Sequence, residues 1–163
     1  MAGNTAPNIK PGFIIALVLI GLTLFFYFTG IKTGNQLQML LRVLVVVAGV
    51  AISAYLFAKK HDGLTGKDIF FYGFRVTAIV ALCTIAFGVL FVLLVPQFKE
   101  DAVIAFKKDQ LSSPEMTPAK LAEEITAYKK RFLTLFIGMN MMIVVLSGFV
   151  GALAGTLISP KKQ

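Results

Sequence analysis

Residues 133–158 read LTLFIGMNMMIVVLSGFVGALAGTLI and carry no charge. A helix rises about 1.5 Å per residue, so this run can cross a hydrocarbon core about 30 Å thick with some tilt. Asn140, Ser147, Gly151 and Gly155 fall on one face of it when successive residues turn by about 100°. Small residues four apart let two helix backbones approach closely, which matters where lipid removes the hydrophobic drive for association. Asn140 on that face can hydrogen-bond across the contact. The run is therefore read as the seam helix of a membrane bundle, facing either the chain's own helices or a second copy.

Composition supports an integral membrane protein. The 163 residues are enough for one domain, and 57% of them are hydrophobic while 15% are charged. A soluble chain of this size could not hide so much apolar surface. The net charge of +8 would point a soluble protein towards nucleic acid. Here Lys and Arg sit at the ends of apolar spans, as topology signals and contacts to anionic head groups. No basic helix or aromatic platform lies outside the spans, which argues against nucleic acid as a partner. The expected partners are membrane lipids, a second copy, or another membrane protein subunit. Cys83 is the single cysteine and His61 the single histidine. One chain therefore offers neither an internal disulfide nor a His/Cys metal cluster, and no metal or cofactor is expected.

Four spans are expected near 11–31, 39–58, 69–95 and 132–158, within a single transmembrane domain of residues 1–163. Residues 1–10 are polar and read as a frayed end. Pro11 suits the first turn of a helix, where its missing N–H has no partner anyway. The apolar run from Phe13 to Phe28 is longer than a signal-peptide core and ends without a small-residue cleavage site, so it is read as a retained span. Thr33-Gly34-Asn35 breaks the chain before the second span, whose Gly49 and Ser53 give it a small face. Lys59, Lys60 and His61 close that span. In the third, Gly73, Thr77, Ala81, Thr84 and Gly88 form a small, weakly polar stripe, and Pro96 ends it.

Residues 97–131 are mixed in charge. Phe98, Ala102, Ala105 and Phe106 suggest one amphipathic helix. Ser112-Ser113-Pro114 breaks it, and Thr117 with Pro118 starts another that runs into the fourth span. The fold class is thus all-α: a four-helix transmembrane bundle with an extramembrane helical hairpin between spans three and four.

Few residues offer chemistry. Arg75 is read as the formally charged residue clearly inside a span, with Arg42 counted among the flanking basic residues. An intramembrane charge is a functional candidate by default. Two readings of Arg75 stay open: a side chain that snorkels to the head groups or pairs with Asp68, or a contact to a ligand, lipid phosphate or partner. Asn140 reads first as interhelical glue. Thr77, Thr84 and Ser147 can bond their own helix carbonyls. Tyr27, Tyr55 and Tyr72 lie near span ends, where an aromatic belt is expected. No span contains Asp or Glu and none is broken by a central proline, which argues against ion-coupled transport by one chain. No phosphate loop, dinucleotide fingerprint, HExxH motif or acid–base pair is marked, so no catalytic residue is expected.

The stretch GLTGKDIFFYGFRVTAIVALCTI, the mixed-charge helices after Pro96 and the close GALAGTLISPKK resemble the bacterial (Bacteroidota-type) domain-of-unknown-function family 4199. The likeness covers nearly the whole chain as an order of four spans with a long third loop. Lysine and arginine counts alone leave orientation close to even. The resemblance implies a basic N-terminus, second loop and C-terminus, hence both termini in the cytoplasm and the hairpin outside. It implies no catalytic residues. The expected role is a non-catalytic accessory or scaffolding subunit of the inner membrane. Two alternatives are a small oligomeric transporter or lipid flippase, and a helper of an enzyme acting on polyprenyl-linked or lipid substrates.

Overall fold

The computed structural model describes residues 9–30, 36–111 and 117–159. The expected frayed N-terminus, the Thr33-Gly34-Asn35 and Ser112-Ser113-Pro114 breaks and the C-terminal lysines lie outside them. Every element among the described residues is a helix: α1 Lys10–Phe28, α2 Gln36–Lys60, α3 Gly66–Leu94, α4 Pro96–Gln110 and α5 Pro118–Ile158. Four of them, α1, α2, α3 and α5, are long and apolar enough to cross a membrane.

Local chemistry sets the ends. Helix α1 begins with Pro11 in its first turn and stops where Gly30 turns left-handed at φ 69°. There the Thr29 and Gly30 N–H groups donate to Phe25 O (3.0 Å) and Tyr27 O (3.2 Å), satisfying carbonyls the helix would otherwise orphan. Lys59 and Lys60 occupy the last turn of α2, where positive charge complements the helix dipole. Helix α3 opens on a reciprocal cap. The Thr65 N–H donates to Asp68 Oδ2 (2.9 Å), and the Asp68 N–H donates to Thr65 Oγ1 (3.3 Å). It ends because Pro96 disfavours a helical Val95, which sits at φ −122°, ψ 77°. The same proline then opens α4. Thr117 caps α5 by accepting the Lys120 N–H on Oγ1 (3.4 Å). With 41 residues α5 is about 60 Å long, roughly twice a hydrocarbon core.

The chain forms two compact units. The first holds α1, α2, α3 up to Thr84 and α5 from Asn140. Its core is aliphatic, built on Ile15, Leu19, Val46, Val50, Val76 and Val80. Outward positions are also apolar, such as Leu17, Leu82 and Leu157, as lipid-facing surface requires. Tyr72 is a correction to the aromatic-belt reading. It is buried, with its ring stacked on Phe57 at 4.0 Å.

The second unit, Ile85–Met139, holds the end of α3, α4 and the start of α5. It is packed by rings. Phe98 of α4 meets Phe91 (5.3 Å), Phe136 (5.7 Å) and Phe132 (6.4 Å), and Phe106 stacks on Tyr128 at 4.3 Å. The hairpin is therefore more than two charged helices side by side; an aromatic ladder fastens it to the last turns of α3.

Crossing by all four of these helices would put the two termini on one side of the membrane. Reporter fusions at residues 1 and 163 should give the same signal; opposite signals would mean an odd number of crossings.

Candidate functional site

In the first unit the small residues lie against backbone. A Cβ added at Gly151 would meet Val47 O at 2.7 Å and Val50 Cβ at 3.0 Å. One added at Gly155 would meet Ala54 Cβ at 2.6 Å and Ala51 O at 2.9 Å. The face bearing Asn140, Gly151 and Gly155 is thus occupied by α2 of the same chain. Ser147 is buried beside it but, among the described residues, makes no bond to its own helix.

On α3, Gly73 lies against Ala152, its added Cβ falling 2.8 Å from the Ala152 Cβ, and the Thr77 side chain seats on Gly148. Thr77 Oγ1 donates to Gly73 O at 3.0 Å, and Thr84 Oγ1 donates to Val80 O at 2.8 Å. Gly88 belongs to the second unit, where the edge of the Phe136 ring fills the space a side chain would need, at 2.8 Å. The stripe read on the third span therefore serves two different contacts.

The polar centre of the first unit is Arg42, and here the reading of the charges needs correction. Arg42 is a member of α2, one and a half turns past Gln36, not a flanking residue. Its side chain is half-buried among three helices. Nη2 donates to Thr23 Oγ1 of α1 at 3.1 Å, and Nη1 donates to Asn140 Oδ1 of α5 at 3.5 Å. Thr23 spends its own proton on Leu19 O at 2.8 Å, which leaves its lone pairs to Arg42. Nε is buried and has no partner among the described residues. Thr23 stands near the end of α1 and Arg42 near the start of α2, so an antiparallel pair brings them to the same height. Gln38, one turn earlier on the Arg42 face, is buried as well.

All of these partners are neutral. The acidic residues of this unit are Asp62 and Asp68. Asp62 lies past the far end of α2, about 30 Å away along the helix. Asp68 is held by Thr65, whose hydroxyl donates to its Oδ2 at 2.6 Å. The guanidinium is thus a positive charge set among neutral groups within a membrane-spanning helix.

Arg75 does the reverse. It is exposed on α3, and among the described residues it has no hydrogen-bond or ion-pair partner; the pairing with Asp68 does not form. Arg75→Ala should therefore leave stability within about 0.5 kcal/mol of the parent, as surface substitutions do. Thermal unfolding in detergent checks this; a loss several times larger would mean that the side chain holds another helix. No three His, Cys, Asp or Glu side chains gather as metal ligands among the described residues.

Four apolar helices around a small-residue interior define a multi-pass α-helical membrane protein. Residues 10–158 match the family model described as "Protein of unknown function (DUF4199)", and the chain belongs to that family. Neither a curated protein nor a solved structure matches it.

Proposed function

We propose that this protein is a non-catalytic accessory or scaffolding subunit of the bacterial inner membrane, with both termini in the cytoplasm. It acts through its outward faces. The observation that supports this reading is the closeness of packing inside the first unit. At Gly73, Gly151 and Gly155 a single added carbon would fall 2.6–2.8 Å from a neighbouring helix, and at Gly148 it would collide with Thr77. Interiors packed this tightly hold helices together and leave little volume for a substrate path. The outward Arg75 is a polar feature that a partner subunit or head group can reach from outside.

The test is extraction of tagged protein from native membranes in mild detergent, followed by mass spectrometry. A membrane protein recovered in constant ratio is expected. In parallel, the pure protein in liposomes should move neither ions nor labelled lipid faster than empty vesicles do. Lipid scrambling that scales with protein content would overturn the proposal in favour of a flippase.

A further inference from the structure

We propose that Arg42 is the receptor for the phosphate of one anionic membrane lipid, bound where α1, α2 and α5 meet. Three observations converge. The guanidinium has five N–H donors in a planar fork, while among the described residues it meets two neutral acceptors, one at 3.1 Å and one at 3.5 Å. Nε is left without a partner among the described residues. The unit has no carboxylate within reach, since Asp62 is about 30 Å away along α2 and Asp68 is committed to Thr65. Among the described residues the charge meets neutral groups, and an oxyanion at the reachable part of the fork would complete it.

The lipid source follows from position. Arg42 lies about 9 Å from the first residue of α2, a depth that a long side chain bridges to the head-group layer. Its side chain is half-buried, so part of it stays reachable from outside the bundle. On α2 the exposed, apolar Met39 lies about 60° round the helix from Arg42. An acyl chain can lie against it while the phosphate meets the fork. A soluble anion gains nothing there and must shed its water to enter.

The whole chain is purified, stripped of lipid in detergent, and melted with three additions: phosphatidylglycerol, the uncharged digalactosyldiacylglycerol, or inorganic phosphate. Phosphatidylglycerol should raise Tm by about 5 °C, as binding to the folded state does, and native mass spectrometry should show one retained copy. The other two additions should shift nothing. Arg42→Gln should lose the shift and the retained lipid, while Lys59→Gln, at the far end of α2, should keep both. Where Arg42→Gln does not accumulate, Arg42→Lys takes its place. It keeps the charge but not the fork, and its shift should fall by about half. An equal response to the uncharged lipid overturns the proposal, as does an undiminished shift in the Arg42 variants. A matching response to inorganic phosphate overturns the lipid source and makes this a site for a soluble anion.

Discussion

Leucine at Gly151 is expected to destabilise the bundle by about 3 kcal/mol, the upper end of what overpacking usually costs. The atoms in the way are backbone: Val47 O at 2.7 Å and Val47 Cα at 3.2 Å, with Val50 Cβ at 3.0 Å. A side chain could rotate aside, but helix α2 can only move as a whole. Moving it would also open the contact at Gly155, where Ala51 O and Ala54 Cβ lie equally close. Dispersion falls steeply with separation, so a small displacement weakens the entire seam. Val145→Leu is the control. Val145 is half-buried on the same helix, points about 120° from Gly151 and changes little in volume, so it should cost less than about 1.5 kcal/mol. Both variants are to be measured for thermal stability and oligomeric state in the same detergent. The seam partner is α2 of the same chain, so Gly151→Leu should lose stability as a monomer. Equal behaviour of the two variants would show that α2 does not rest on this face.

The second large effect is at Gly148. Thr77 seats on it so closely that a methyl group there would collide with the Thr77 Cγ2 and Oγ1 and fall 2.7 Å from its Cβ. Thr77 cannot swing away, since it is buried at 1% exposure and its hydroxyl is bonded to Gly73 O. Gly148→Ala alone should cost about 2–3 kcal/mol, although alanine is the better helix former. Thr77→Gly should cost about 1–2 kcal/mol, from helix propensity and the cavity it leaves. Residues in contact are not additive, so the double variant should be more stable than the sum of the singles by at least about 1 kcal/mol. Additivity within a few tenths would mean that the two residues do not touch. The same interlock repeats one turn away, where Gly73 faces Ala152. Positions 73 and 77 of α3 thus mesh with 152 and 148 of α5 in antiparallel order.

Arg42 shows how a real feature can be misread. Its neighbours Met39, Leu40 and Leu41 already belong to an apolar run, and Gln36–Gln38 supply a helical turn before it. Counting it as a flanking charge leaves it out of the candidates, although position 42 falls within the expected 39–58 span. Arg75 has longer apolar surroundings in the sequence, yet it faces outward. The signal that separates them is small. Gln38 precedes Arg42 by one turn, and two polar residues on one face of an apolar helix point inward more readily than one does.

The amino-acid sequence determined the four spans and most of their ends, since those depend on local chemistry. Pro11, Gly30, Thr65 with Asp68, Pro96, and Thr117 with Pro118 act within a turn or two of themselves. It also determined which faces carry small residues. Tertiary structure alone decided what each face meets: α2 against Gly151 and Gly155, the Phe136 ring against Gly88, Tyr72 against Phe57, Arg42 inside and Arg75 out. The physical reason is that lipid and protein interior are equally apolar. A soluble helix announces its buried side by contrast with water; a membrane helix surrounded by hydrocarbon has no such contrast, and its neighbours are chosen by fit.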